Sequence, residues 1–154
     1  MAAILAEAAA VGNATARAIA FDTRDPDAFL YPGSAWKTAF VGGDYHSTEV
    51  GGGYDLVLLA NILHQEPAAS AAALVSRAAG ALSPGGRVAV VDFQIDDEQR
   101  RHPFGTLFAI NMRSFGDTYA EPTIRGWMAA AGLGEITRTD LDPDRWLIVG
   151  RKPG

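Results

Sequence analysis

Apolar and polar positions follow one another along this chain in blocks that predict strands and helices in turn. Short apolar runs that end on polar residues predict strands over residues 16–22, 37–44, 54–61 and 87–93. Between the last two runs, Leu74, Ala78 and Leu82 recur at helical spacing and predict a helix that begins at Pro67. Because strands that alternate with helices form parallel sheets, the pattern predicts an α/β fold.

The other segments predict three more helices, a turn and a final hairpin. These are helices over 2–11, over 104–115 and from Glu121 to Gly132, a turn over 83–86, and antiparallel strands over 134–141 and 145–152. The run over 54–61 is apolar almost throughout, which predicts burial on both faces of that strand. Trp127 and Met128 are predicted to be core residues of the last helix. Without a repeat or a linker, the 154 residues predict a single domain over 1–154.

Charge and cysteine content exclude several classes of protein. The formal net charge of −5 and the absence of a basic stripe argue against a nucleic-acid partner. The densest basic run, Arg100–His102, follows three acidic residues and is interpreted as a solvated loop. The chain has no cysteine, which excludes disulfides, thiolate catalysis and cysteine zinc sites and suits the cytoplasm. No run approaches the roughly 20 apolar residues that span a bilayer, and no metal-ligand cluster occurs, so neither a membrane nor a metal is expected.

Polar side chains stand at the ends of the predicted strands, where ligands bind in an open α/β sheet. Asp22, Asp44 and Asp92 each end a run, and the run over 54–61 leads through Asn61 to His64. An acid after a strand can hold ribose hydroxyls, and an acid after a double glycine can accept a purine amino group. The alternative is that each acid only caps a turn or helix.

His64 is the candidate catalytic base because imidazole titrates near neutral pH and can accept a phenol proton. The alternative is a loop histidine without a chemical role. His46 and His102 are interpreted as solvated loop residues.

The segments "VGGDYHSTEVGGGYDLVLLANILHQ", "ALSPGGRVAVVDF" and "GDTYAEPTIRGWMAAAGL" together resemble the class I S-adenosylmethionine-dependent methyltransferases, and more narrowly the small-molecule O-methyltransferases of secondary metabolism. The similarity runs from about residue 37 to the end. It implies a Rossmann-like methyltransferase sheet, mostly parallel with a C-terminal antiparallel hairpin. It also implies methyl transfer from S-adenosyl-L-methionine to a hydroxyl of a small aromatic or polyketide-like molecule.

The resemblance also implies roles for individual residues. His64 corresponds to the base that removes the proton from the acceptor hydroxyl. The cofactor-binding set is Asp22 at the ribose, Asp44 and Tyr45 at the adenine, and Asn61. The acceptor-binding set is Phe108, Asn111 and Met112, from the helix that lines the acceptor pocket in the family. For Phe108 and Met112 a plain core role is the alternative, and for Asn111 a hydrogen bond to backbone is an equal one.

The sequence departs from the family pattern at two places. After His64 come Gln65, Glu66 and Pro67 instead of an acidic or aromatic pair, so no second acid is predicted to orient the imidazole. No glycine-rich G-x-G-x-x-G pattern occurs in residues 1–35, so the sheet is expected to be N-terminally truncated and to lack its central first strand. We therefore expect a homodimer, or a partner chain that covers this strand's place. The alternative function is a methyltransferase-like protein without methyl transfer.

Overall fold

A computed structural model describes residues 18–20, 38–40, 44–95, 103–112 and 116–154, which fall into two compact units divided after Gly51. In the first unit, strands β1 (Ala18–Ala20) and β2 (Thr38–Phe40) pair in parallel, with Ala18 opposite Thr38. Both strands fall inside runs whose pattern predicts strands. Their parallel pairing agrees with the expected α/β fold.

The second unit, residues 52–154, is built on a four-stranded mixed sheet with helices against it. Its strands are β3 (Tyr54–Ala60), β4 (Leu82–Phe93), β5 (Gly134–Asp142) and β6 (Arg145–Arg151), in the spatial order β3-β4-β6-β5. Its helices are α1 (Ala68–Gly80), α2 (Pro103–Met112) and α3 (Glu121–Ala130). β3 runs parallel to β4, and β4 pairs with β6 and β6 with β5 in antiparallel fashion, which confirms the predicted final hairpin.

The predicted turn over 83–86 lies inside β4, so the prediction that the strand begins at residue 87 is wrong. The pairing with β3 jumps from Tyr54–Leu82 to Leu56–Arg87, which makes this segment a bulge within the strand. Gly85 takes a positive φ of 79°, and a Cβ on Gly86 would lie 2.8 Å from the carbonyl oxygen of Tyr54. The glycines that suggested a turn therefore allow a bulge in β4, after which the strand pairs regularly with β3.

The core of the second unit lies where β4 and β6 meet helices α1 and α3. Its fully buried side chains include Val75, Val88, Val90, Ile124, Met128, Trp146 and Ile148. β3 lies at the edge of the described sheet and is buried mainly at Leu59, while Leu56 is 41% exposed. The predicted burial of β3 on both faces is therefore wrong, because a near-continuous apolar run does not reveal which strand is outermost.

Helix α3 buries Met128 as predicted, but Trp127 is only half-buried. The Trp127 ring meets the ring of Tyr119 edge-on at 4.7 Å. The core prediction for Trp127 is thus wrong, since its helix turns that position toward the preceding loop. None of the helices in the described part of the chain is long and apolar enough to cross a membrane.

Candidate active site

A tight turn after β3 carries His64. Asn61, directly after the strand, lies in the left-handed region with φ 53°, a conformation that Asn tolerates better than most residues. Its backbone N–H donates to the Val91 carbonyl at 2.8 Å, and its own carbonyl accepts from Gln65 Nε2 at 2.9 Å. A 3₁₀ turn over Leu63–Gln65 follows. These bonds fix the turn against the end of β4.

His64 and Asp92 form a buried pair, each only 4% exposed. His64 Nδ1 lies 2.6 Å from Asp92 Oδ1, and the backbone N–H groups of Phe93 and His64 donate to Oδ1 at 2.8 Å and to Oδ2 at 3.3 Å. The buried carboxylate is therefore well satisfied, as a buried charge requires. An acid that accepts from Nδ1 holds the proton on that nitrogen and leaves Nε2 as the acceptor.

Sequence reasoning missed this partnership. The sequence marks Asp92 only as an acid at the end of a strand and predicts no acid that orients the imidazole. The available signal was that His64 follows β3 and Asp92 lies near the end of the neighbouring parallel strand β4, and the carboxyl ends of parallel strands meet at one edge of the sheet.

Aromatic rings line one side of the imidazole. The Phe108 ring of α2 meets His64 edge-on at 4.8 Å, and the Phe93 ring lies 5.3 Å from His64. Phe93 also contacts Phe108 at 4.2 Å and Phe104 at 5.4 Å, and Phe104 is 47% exposed. The predicted acceptor residue Phe108 thus stands beside the predicted base. Asn111 and Met112 lie in the last turn of α2, and the structure's description does not extend to their side chains.

Two glycines allow backbone to press closely on this site, and sequence reasoning did not single them out. A Cβ on Gly105 would overlap the carbonyl oxygen of Gln94, just beyond β4. A Cβ on Gly116 would overlap the carbonyl oxygen of His64 and lie 2.8 Å from the backbone nitrogen of Glu66. The first contact seats α2, and the second seats the segment 116–120 on the His64 turn.

Tyr119 ties the same segment to the turn. Its hydroxyl donates to the carbonyl oxygen of Glu66 at 2.5 Å. Burial, and then the negative charges of Asp117, Glu66 and Asp92, raise the pKa of Tyr119 to about 12. The phenol therefore stays protonated and remains a donor across the physiological range.

The predicted adenine-binding residues lie in the first unit, in a turn that begins at Asp44. Asp44 is exposed, and its carboxylate accepts from the backbone N–H of His46 at 2.9 Å and from Ser47 Oγ at 3.0 Å. The Tyr45 ring lies 4.5 Å from the His46 ring. The predicted role of Asp44 and Tyr45 at the adenine stays a prediction.

Other predicted positions are accounted for as follows. Asp22 and His102 lie outside the described residues. His46 is exposed, as a solvated loop residue should be. Asn61 lies in the turn described above, and its predicted cofactor role stays a prediction. Within the described ranges, no group of three or more side chains is placed to hold a metal ion.

Comparison with known proteins shows the family of this chain. The family model of the O-methyltransferase domain matches residues 16–133, which is well over half of the chain. The chain belongs to this O-methyltransferase family. The matched range begins upstream of residue 37, where the resemblance was expected to start, and so it includes Asp22 as well as Asp44 and His64.

Two similar proteins are named as O-methyltransferases. Over 121 residues the chain is 32% identical to the tetracenomycin polyketide synthesis 8-O-methyl transferase TcmO of Streptomyces glaucescens, covering 76% of this chain and 35% of that protein. An O-methyltransferase family 2 protein from Planctomyces limnophilus, solved in complex with apigenin, matches 75% of the chain and 36% of its own length, at 26% identity and a TM-score of 0.68.

Human N-acetylserotonin methyltransferase, solved in complex with S-adenosylmethionine, matches 84% of the chain and 37% of its own length, with a TM-score of 0.72. At 21% identity this likeness concerns the fold alone. The chain spans about a third of the length of all three proteins.

Proposed function

We propose that the protein containing this chain methylates a hydroxyl group of a small aromatic, polyketide-like acceptor, with S-adenosyl-L-methionine as the methyl donor. The observation that carries the proposal is the buried His64–Asp92 pair at the tip of β3, beside the Phe93 and Phe108 rings. The identity to TcmO, a polyketide 8-O-methyl transferase by name, supports this acceptor class.

In this proposal, His64 Nε2 accepts the proton of the acceptor hydroxyl as the oxygen takes the methyl group. Asp92 holds the imidazole in the required tautomer and stabilises the imidazolium that forms. The cofactor would supply an electrophilic methyl group, and loss of that group from its sulfonium would leave S-adenosylhomocysteine. Positioning of the acceptor by this chain's residues would contribute much of the rate enhancement. The proton then leaves His64 for solvent.

The binding roles follow the same proposal. Asp44 and Tyr45 bind the adenine, Asp22 binds the ribose hydroxyls, and Asn61 has a cofactor-binding role. Phe108 stacks against the acceptor, and Asn111 and Met112 line the acceptor pocket with it. The protein works in the cytoplasm, as a homodimer or together with a partner chain.

The test uses the full-length protein, S-adenosylmethionine with a radiolabelled methyl group, and a panel of hydroxyanthraquinones and simple phenols. His64→Ala should lower kcat about 10²- to 10⁴-fold, the range for a positioned base. Calorimetric titration with S-adenosylhomocysteine should give the same affinity for the variant as for the wild type. Unchanged turnover would remove His64 from the mechanism.

The same experiment separates the two candidate functions. A wild-type protein that binds S-adenosylhomocysteine but methylates no hydroxyl on the panel would support the methyltransferase-like protein without methyl transfer. Asp44→Ala, measured in parallel, should lower the affinity for S-adenosylhomocysteine. An unchanged affinity would refute the assignment of Asp44 to the adenine.

A further inference from the structure

Thr118 buries a hydroxyl group without a hydrogen-bond partner. The residue is 6% exposed, and its Oγ1 is fully buried with no partner in the part of the chain that the structure describes. An unpaired buried hydroxyl lowers stability, whereas a valine has nearly the same shape without that cost. A polar atom kept in such a place calls for a ligand or a role.

Two neighbours of Thr118 hold the segment 116–119 against the turn that carries His64. Gly116 packs on the backbone of His64 and Glu66, and the Tyr119 hydroxyl donates to the carbonyl of Glu66. Thr118 lies between these two anchors. The contact of Gly116 with the carbonyl oxygen of His64 places the segment beside the candidate base.

The other buried atom without a partner in the described residues, Trp146 Nε1, has a different setting. Trp146 stands opposite Asp92 in the β4–β6 pairing, with the Arg138 guanidinium 4.9 Å from its ring. Its large ring accounts for its burial, because most of the side chain is apolar. The Thr118 side chain has no comparable apolar surface to explain its position.

We propose that Thr118 determines acceptor specificity, by hydrogen bonding to a second oxygen of the acceptor, next to the hydroxyl that His64 deprotonates. The inference rests on the proposed function. A hydroxyl both donates and accepts, so the second oxygen is a neighbouring phenol or carbonyl. Since the Thr118 hydroxyl is already desolvated, acceptors with that second oxygen gain a bond at little further cost, and acceptors without it leave the hydroxyl unpaired.

The test compares two probes that differ by one oxygen, 1,2-dihydroxyanthraquinone and 2-hydroxyanthraquinone, with the full-length protein. The wild type should prefer the dihydroxy probe by about 10-fold in kcat/KM, the worth of one neutral hydrogen bond in a buried site. Thr118→Val should bring this ratio close to one, and Thr118→Ser should keep it. The KM for S-adenosylmethionine should not change in either variant.

Thr123→Val is the matched control, because Thr123 is exposed on α3, and it should leave the ratio unchanged. Thermal melting of each variant separates binding from folding, and Thr118→Val should melt no lower than the wild type. A Thr118→Val protein with the wild-type ratio, whatever its melting temperature, overturns the proposal. So does a wild-type protein without a preference between the probes.

Failure of the proposed function looks different. If the wild type methylates neither probe, the preference is measured as the ratio of the binding affinities for the two probes. Calorimetry in the presence of S-adenosylhomocysteine gives these affinities. A preference that disappears only in Thr118→Val would then support the role of Thr118 while refuting methyl transfer. Equal affinities for the two probes in the wild type would refute the role of Thr118.

Discussion

At the scale of single residues, the site depends on a carboxylate that is almost removed from water. Asp92 accepts three hydrogen bonds, two of them from His64. One bond comes from the imidazole and one from the backbone of the turn, so Asp92 positions both the side chain and the loop that carries it. Loss of its charge should therefore affect chemistry more than cofactor affinity.

Asp92→Asn should lower kcat about 10²- to 10⁴-fold, because an amide can present its NH₂ to Nδ1 and favour the wrong tautomer. Asp55→Asn is the matched control, since Asp55 is exposed on β3 and the substitution removes the same charge. Initial rates at saturating acceptor would be measured for both, with circular dichroism to verify folding. Equal rates for Asp92→Asn and wild type would show that the pair is purely structural.

The sequence could identify His64 and not its partner. The motif that ends β3 is local, so the residues from Tyr54 to Gln65 carry it completely. The pairing with Asp92 depends on the register of β3 against β4, and a bulge over residues 83–86 shifts that register. A spacing count along the chain does not contain this information.

At the scale of secondary structure elements, close backbone contacts hold α2 against the end of β4. Gly105 makes the contact at the carbonyl of Gln94, and the next turn of the helix presents Phe108 to His64. Gln94 is held in turn, because its backbone N–H donates to the Asp144 carbonyl at 2.7 Å and its Nε2 donates to the Asp142 carbonyl at 2.9 Å. The aromatic side of the site thus depends on a glycine.

Gly105→Ala should displace α2 and weaken acceptor binding, because the new methyl group would overlap backbone that cannot move easily. Destabilisation of about 1–3 kcal/mol is expected. Gly126→Ala in α3 is the matched control: nothing lies within 4 Å of its Cβ position, and the change should stabilise the helix by about 0.5–1 kcal/mol. Urea unfolding and the KM for the acceptor would be measured. A Gly105→Ala protein as stable as the control would contradict the contact.

The spacing of hydrophobic residues predicted most elements of the second unit well. It failed for features that depend on which strands pair with one another. The pattern placed α1, α3 and the β5–β6 hairpin within a few residues of their observed bounds. It did not show that β3 lies at an edge of the described sheet or that glycines interrupt β4 without ending it. Both features depend on neighbouring strands.

At the scale of the second unit as a whole, Arg138 connects the hairpin to the helix and the central strand. It donates to Glu121 of α3 at 2.8 Å, to Asp140 of β5 at 2.6 Å and to Gln94 beyond β4 at 3.1 Å. Glu121 also accepts from Arg125 at 2.5 Å. One ionised carboxylate thus joins two arginines, and its protonation should loosen the network.

Burial would raise the pKa of Glu121, but hydrogen bonds from Arg138 and Arg125 and the charges of these arginines outweigh it, so the pKa lies below its ordinary 4.5. A carboxyl whose pKa is lower in the folded state contributes stability above its unfolded pKa and loses it as the pH falls through the folded value. The network should therefore stabilise the protein at neutral pH and weaken below about pH 4.5.

Glu121→Gln should lower the free energy of unfolding at pH 7. The loss should be only about 1 kcal/mol, because the ion pairs of Glu121 with Arg125 and Arg138 are partly exposed and screened by solvent. The free energies of unfolding of variant and wild type should converge as the pH falls below 4.5, where the wild-type carboxyl also takes up a proton. Glu135→Gln is the matched control: the Glu135 side chain is 73% exposed and lies 3.3 Å from Arg151, so its unfolding curve should follow the wild type at every pH. Urea unfolding from pH 7 to pH 3 would measure all three proteins. A gap between Glu121→Gln and wild type that stays constant with pH would show that charge on Glu121 does not hold the network together.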